Sequence, residues 1–270
     1  MAWMINGMPG KMATEVYLLA QERGVDVVPY SLTGPDISER ICFAGNIGIT
    51  LIKPQERFCW VPELRRLYPD LACVDFTHPD ARKENVERYC EYGFPFVMGT
   101  TGKDGEVLEQ IVRDSGNIAV IAPNMAKQIV AFMDMMGYAA EQFPLAFSGY
   151  TLEIVESHQN RKADTSGTAR AMARYFNDLG VPFTVDQIEM IRDPAVQEEM
   201  GIPHEFLPGH AWHTYRLLSE DGSVLFSFTH NVNGRRIYAE GTLDAMAFLE
   251  KKVAEGAQGK VFTMMDVLRG

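Results

Sequence analysis

One stretch concentrates groups able to do chemistry: Glu156-Ser157-His158-Gln159-Asn160-Arg161-Lys162-Ala163-Asp164-Thr165-Ser166-Gly167-Thr168. It combines a titratable imidazole, two cations and a hydroxyl-rich turn. An imidazole with an ordinary pKa of roughly 6.5 gives or takes a proton near neutrality. Ala169, Met172, Ala173 and Phe176 follow at i, i+3, i+4 and i+7, the spacing of an amphipathic helix. Ser166 or Thr165 suits the N-cap, and Gly180 with Pro182 ends the helix. Gly167 and Thr168 then fall in the first turn, where N–H groups lack intrahelical acceptors. A helix start of this kind, with Arg161 and Lys162 just upstream, fits a carboxylate or phosphate. The same composition also describes a capped helix beside a solvated basic loop.

A second chemistry-bearing stretch opens the chain. Residues 2–6 read as a buried strand, Gly7-Met8-Pro9-Gly10-Lys11-Met12 as a turn, and the residues to about 21 as a helix. Strand, glycine turn and helix form the opening of a dinucleotide-binding βαβ unit, with the pyrophosphate on the helix N-terminus. Pro9 replaces the usual middle glycine and Ala13 supplies the third small position. A plain strand–helix turn fits a lone G-x-x-G equally. A second strand and turn over 25–34 present Ser31 and Thr33, with no acid until Asp36, and Lys11 lies nearby in sequence. Hydroxyls and a cation in place of a ribose-binding carboxylate favour a 2′-phosphate, so NADPH is the expected cofactor, with NADH as the alternate.

These groups need elements to position them. Residues 71–77, 95–98 and 118–121 are apolar runs of strand length, separated by helical stretches. The alternation predicts an α/β fold with a Rossmann-like doubly wound parallel sheet, whose ligands lie beyond the carboxyl ends of the strands. Phe76-Thr77, Gly99-Thr100-Thr101-Gly102 and Pro123-Asn124-Met125-Ala126 all fall at such ends. Residues 37–70 offer two short strands and a helix but no chemistry. Strands over 151–156, 214–218 and 224–229 suggest a second α+β domain with a mixed sheet faced by two helices. The expected boundaries are 1–126 with 239–270 for dinucleotide binding, and 127–238 for substrate binding and oligomerisation. The active site is expected between the two.

Composition excludes several classes. With 270 residues and 46% apolar content, the chain can bury the cores of two domains. A net charge of −11 provides no basic field for nucleic acid. Cys42, Cys59, Cys73 and Cys90 form no CxxC, which reads as reduced thiols and no zinc site. No apolar run approaches membrane-spanning length, and Met1-Ala2-Trp3-Met4 is not a signal peptide. His210 and His213, three apart in an extended stretch, fall on opposite strand faces, so no metal is expected between them. His230 reads as a satisfied strand-end histidine.

Taken together in order, Gly7–Met12, Asp75-Phe76-Thr77, Gly99–Gly102, Glu156–Thr168 and the segment from His230 to Glu240 resemble the 4-hydroxy-tetrahydrodipicolinate (dihydrodipicolinate) reductase family. Glu156-Ser157-His158-Gln159 with Ser166-Gly167-Thr168, Gly209-His210-Ala211 and Ile237-Tyr238-Ala239-Glu240-Gly241 resemble its plant-type branch. Gln159 stands where most bacterial members carry a second histidine, and the Asp164-to-Ser166 spacing is one residue shorter than theirs. The resemblance implies an NADPH-dependent reductase of lysine and diaminopimelate biosynthesis, with His158 as general acid and Lys162 as its partner. It implies that Ser166, Gly167 and Thr168 hold a substrate carboxylate and that Thr101 touches both substrate and nicotinamide. Phe76, Gly99 and Asn124 would line the nicotinamide, beside Thr77 and Pro123, and Arg235 is a further candidate for the small dicarboxylate. A homodimer or homotetramer is implied, in the cytoplasm, or in the plastid stroma for a plant protein without its transit peptide. The competing expectations are another NAD(P)-dependent amino-acid or aldehyde dehydrogenase of similar architecture, or a non-catalytic NADP-binding regulator.

Overall fold

A computed structural model describes the chain except Thr101, Lys103 and Arg161. It separates into two compact units, Met1–Lys127 with Arg236–Gly270, and Gln128–Arg235.

The first unit is built on a five-stranded parallel sheet in the order β1 (Ala2–Asn6), β5 (Leu71–Asp75), β6 (Phe96–Met98), β7 (Ile118–Ile121) and β12 (Lys260–Phe262). Every residue of β1, β5 and β6 is buried, as parallel strands covered on both faces require. One face packs Met4, Cys73, Phe96, Met98 and Ala119 against Val61 and Leu64 of α2 (Arg57–Leu67), Val86 and Tyr89 of α3 (Arg82–Glu91), and Leu108 and Val112 of α4 (Gly105–Ser115). On the other layer α1 (Lys11–Glu22) packs along α8 (Arg236–Ala254), which also meets β6 and β7.

The expected second strand is displaced. Val27 makes only an isolated parallel bridge to Trp3. The strand proper is β2 (Tyr30–Leu32), which belongs to a separate three-stranded sheet with β4 (Ile47–Ile52) and β3 (Ile41–Ala44). Pro29 has no N–H to donate, so regular pairing cannot run through it. Its carbonyl instead accepts from Thr50 N at 2.9 Å and directs the chain into the small sheet.

The second unit is a mixed sheet in the order β11 (Leu225–Asn233), β10 (His210–Leu218), β8 (Thr151–His158) and β9 (Glu189–Ile191). β10 runs antiparallel to both neighbours, and β8 pairs parallel with β9. Ile154, Tyr215 and Leu217 pack on Met172 and Phe176 of α6 (Gly167–Asp178) and on Met136 and Ala140 of α5 (Lys127–Gln142). Period-two alternation puts Glu156 and His158 on that same helix-covered face, as polar guests at one end of an apolar layer. Among the described residues no helix is long and apolar enough to cross a membrane.

Candidate functional site

In the first unit the turn after β1 is shaped for close backbone approach. Gly7 has φ +105°, and a Cβ there would collide with the Phe76 carbonyl. Gly10 N donates to Gly7 O at 2.8 Å and starts α1, a helix start with no side-chain cap and no acid in its first turn. Its unshared N–H groups and dipole therefore suit an anion, and the residues present fit a pyrophosphate. Pro9, Gly10 and Lys11 are exposed there, Met12 is half-buried, and the Met8 side chain is buried beneath.

Beyond β5 a buried carboxylate fixes the neighbouring turn. Asp75 Oδ1 accepts from Thr77 N at 2.9 Å, Thr77 Oγ1 at 2.7 Å and Thr100 Oγ1 at 3.2 Å. Its Oδ2 accepts from Asn85 Nδ2 at 2.8 Å and from the Tyr89 hydroxyl at 2.7 Å. Phe76 is left half-buried with its ring against Gly99, where any Cβ would strike the ring. Asn124 Oδ1 accepts from Ala126 N at 2.9 Å, with Pro123 exposed beside it.

Ser31 and Thr33 differ from the expectation. Both are fully buried. Ser31 Oγ accepts from Met8 N at 3.1 Å and donates to Leu32 O at 3.3 Å, while Thr33 Oγ1 donates to Gly34 O at 3.2 Å. Their hydroxyls hold the glycine turn and the loop after β2 from inside and are not presented to a 2′-phosphate. The sequence shows the hydroxyls but not that β2 turns them inward. Thr101 lies outside the described residues.

In the second unit His158 is the last residue of β8, and α6 begins after Ser166. Of the two candidates that the spacing left, Ser166 is the N-cap, with Oγ accepting from Ala169 N at 3.0 Å. Gly167 is exposed and Thr168 half-buried in the open first turn. Glu156 is fully buried. Its Oε2 accepts from Ser166 N at 3.0 Å, and its Oε1 from Arg192 Nη2 at 2.5 Å. Arg192 also donates to the carbonyls of Lys162 (2.7 Å), Ile191 (3.0 Å), Glu156 (3.3 Å) and Asp164 (3.3 Å). One guanidinium thus ties the end of β9 to β8 and to the loop that carries Lys162. Sequence reasoning passed over Arg192, which lies in a stretch without periodic signal.

The histidines assemble across strands. His213 pairs in register with Glu156 on one side and with His230 on the other. His158 Nε2 lies 3.0 Å from His213 Nε2, and His213 Nδ1 lies 3.2 Å from His230 Nε2. The Tyr215 hydroxyl is 3.4 Å from His213 Nδ1 and 3.3 Å from His230 Nε2. Glu156 Oε2 stands 3.8 Å from both facing Nε2 atoms. His210 does fall on the opposite face, where its Nδ1 donates to Phe206 O at 3.2 Å, leaving Nε2 to accept from Ser157 Oγ at 2.8 Å. His230 lies inside β11 rather than at its end.

Burial reshapes these imidazoles. His158 is lowered to about 4, first by desolvation and further by Arg192, Lys162 and His210, against the pull of Glu156. Burial alone lowers His230 to about 4. His213 lies well below the usual value, by burial and then by its cationic and histidine neighbours. The expectation of an imidazole titrating near neutrality gives way to three neutral rings at pH 7, because desolvation disfavours the charged form.

The Lys162 Nζ donates to Asp164 Oδ1 at 2.7 Å rather than to His158, on which it acts through charge. Arg235 is half-buried over the turn before β10, with Nη2 donating to Pro208 O at 3.3 Å. Glu156, His158 and His213 offer three donor atoms within 4.8 Å of one another, a grouping the sequence reading did not foresee. Arg192 on the same carboxylate and Lys162 nearby make the place unfavourable for a dication, so the donor set fits hydrogen bonding better than metal binding.

The glycine turn ending on an uncapped helix, at the carboxyl end of a parallel sheet, fits a dinucleotide-dependent oxidoreductase, and the second unit by itself sets a buried imidazole beside an open helix start. Family models agree. The one described as dihydrodipicolinate reductase, N-terminus, matches residues 1–125, and the one described as its C-terminus matches residues 128–268. The chain is 48% identical over 269 residues to 4-hydroxy-tetrahydrodipicolinate reductase 1, chloroplastic, of Arabidopsis thaliana, covering 98% of this chain and 77% of that one. It is 47% identical to a probable chloroplastic 4-hydroxy-tetrahydrodipicolinate reductase 1 of rice, covering 98% and 78%. Its fold is similar to a dipicolinate-bound dihydrodipicolinate reductase from Paenisporosarcina sp. TG-14, with a TM-score of 0.65 at 21% identity over 97% of each chain. The chain belongs to the 4-hydroxy-tetrahydrodipicolinate reductase family.

Proposed function

We propose that the protein reduces 4-hydroxy-tetrahydrodipicolinate (dihydrodipicolinate) to tetrahydrodipicolinate with NADPH, within lysine and diaminopimelate biosynthesis. The observation that carries this reading is the placement of His158 at the end of β8 beside the open start of α6, in a chain of this family.

NADPH supplies the hydride when bound. The residues that would hold it are Gly7 to Met12 around the pyrophosphate, with Phe76, Thr77, Gly99, Pro123 and Asn124 toward the nicotinamide. The exposed ammonium of Lys11 is the cation on hand for a 2′-phosphate. The N–H groups of Gly167 and Thr168 bind one substrate carboxylate, and Lys162 or Arg235 serves the second.

His158 carries the proton. Its Nε2 faces His213 at 3.0 Å, which leaves Nδ1 as the nitrogen for a ligand. It donates to the ring carbon adjacent to the one that gains hydride. A docked dianion raises the proton affinity of the imidazole, opposing the desolvation that lowers it in the free protein. Lys162 balances that added charge. The test is an assay coupled to the product of dihydrodipicolinate synthase, following NADPH absorbance. Turnover supports the reading; cofactor binding without turnover on this substrate overturns it.

A further inference from the structure

We propose that Asp75, acting with Asn85 and Tyr89, is the positioning residue that sets the nicotinamide-side turn of the coenzyme site against the glycine turn. The inference rests on the coenzyme placement proposed for Gly7 to Met12, Phe76 and Gly99. The side chains of Asp75, Asn85 and Tyr89 are at most 1% exposed, so they act through the turns around them and not on a ligand.

The two turns meet directly. Phe76 N donates to Asn6 O at 3.1 Å, and a Cβ on Gly7 would collide with the Phe76 carbonyl. Gly99 N donates to Asp75 O at 3.0 Å, and the Phe76 ring packs on Gly99. Phe76 is thus wedged between the glycine turn and the turn after β6. A dinucleotide that puts its pyrophosphate on the first turn and its nicotinamide beside Phe76 depends on the spacing between them.

That spacing is held from inside. Among the described residues Asp75 Oδ1 accepts from Thr77 N, Thr77 Oγ1 and Thr100 Oγ1, and Oδ2 from Asn85 Nδ2 and the Tyr89 hydroxyl. Every partner donates, which is the set an ionised carboxylate takes, and bonds to a charged acceptor are the stronger kind. Tyr89 carries the arrangement back to the first turn. Its oxygen accepts from Asn6 Nδ2 at 2.8 Å, and Asn6 Oδ1 accepts from Leu32 N at 2.7 Å. Leu32 O then accepts from Gly7 N at 2.8 Å. The ends of β1, β2 and β5 and the turn after β6 are joined in one network.

Two observations favour positioning over simple stabilisation. Asn85 Nδ2 donates both to Asp75 Oδ2 at 2.8 Å and to Thr77 Oγ1 at 3.0 Å, which leaves Asn85 Oδ1 buried without a partner among the described residues. An unmatched buried acceptor is unfavourable, so the amide is turned to serve the Thr77 turn at the expense of its own oxygen. Burial and then the Asp75 charge push the Tyr89 hydroxyl well above its ordinary value, so it remains a donor throughout the neutral range.

The experiment compares the parent protein with Asp75→Asn, Tyr89→Phe and Val112→Ala, measuring two dissociation constants for each. One is for NADPH, which spans both turns. The other is for adenosine 2′,5′-bisphosphate, which carries no nicotinamide. Asparagine sets an NH2 group against donors, and phenylalanine removes the hydroxyl between Asn6 and Asp75. A buried hydrogen bond of this kind is worth roughly tenfold in affinity, so NADPH should weaken by about that factor in Asp75→Asn. Bisphosphate affinity should hold, because the Asn6–Leu32 link is untouched. In turnover, KM for NADPH rises and kcat falls while KM for the substrate holds. Tyr89→Phe shows the same pattern more weakly and serves if Asp75→Asn fails to fold. Val112→Ala loosens the same sheet face from α4 and should leave both constants at the parent values. Equal weakening of the two ligands, no change in a folded variant, or the same split in Val112→Ala overturns the inference. A parent protein that binds neither ligand overturns the functional reading together with it, whereas one that shows the split but turns over no substrate overturns that reading alone.

Discussion

Replacing Arg192 by methionine is the sharpest test of how the site is held. Glu156 is fully buried and Arg192 only 17% exposed in its side chain. Methionine fills similar volume but leaves the carboxylate with Ser166 N as its remaining donor. Breaking a buried pair by removing one partner costs about 3–5 kcal/mol. The carbonyls of Lys162 and Asp164 lose their donor as well, so the loop before α6 loosens together with the pair. At about 2–4 °C for each kcal/mol in a chain of this size, the melting temperature should drop by roughly 6–20 °C. Urea titration followed by circular dichroism measures the free energy, and calorimetry the temperature. The pairing is checked by Glu156→Gln and by the double variant, which should lose much less than the sum of the two singles. A loss below about 1 kcal/mol for Arg192→Met, or additive losses in the cycle, would refute the clamp. Removing the guanidinium also withdraws one of the charges that lowers His158, so the imidazole should titrate higher in the variant.

Three further outcomes are expected. The unfolded chain binds protons on its histidines near pH 6.5 whereas folded His158 and His230 resist them down to about 4, so stability is full above 6.5 and is lost as pH falls between these values. Denaturant titrations from pH 7.5 to 4.5 check this (a series on the order of the histidine range), and flat or rising stability toward acid contradicts it. Gly7→Ala places a Cβ at φ +105° against the Phe76 carbonyl, a strain of about 1–3 kcal/mol, so NADPH affinity should weaken by roughly tenfold in fluorescence titration while His158 chemistry is retained. For the coenzyme, a charged hydrogen bond to the 2′-phosphate is worth about 1.5–3 kcal/mol, so kcat/KM should favour NADPH over NADH by roughly tenfold or more and Lys11→Met should reduce that ratio. Equal use of both coenzymes by the parent protein contradicts the role given to Lys11.

The sequence disclosed what is local. The turn after β1, the polar strand ends at Phe76 and Gly99, and a cap at Thr165 or Ser166 all depend on neighbours within a few residues, and spacing placed each to within a residue or so. What it concealed depends on pairing across strands. His213 meets His158 only because β10 lies against β8 in the register that pairs it with Glu156. A period-two reading would have put Glu156 with His158, and His213 with Tyr215, on buried faces, but it contains no register between the strands. Arg192 was hidden for the same reason, since β9 is a three-residue strand joined to β8 in parallel. Ser31 and Thr33 were misread because a hydroxyl beside a turn can face inward as readily as outward. Here the buried N–H of Met8 takes the Ser31 oxygen.

The most direct test of the account is the turnover of His158→Gln with 4-hydroxy-tetrahydrodipicolinate and NADPH, set beside its affinity for NADPH. A positioned proton donor contributes about 10²–10⁴-fold, so kcat should fall by that order with cofactor affinity unchanged. A variant that turns over near the parent rate would contradict the assignment of His158 as the acid.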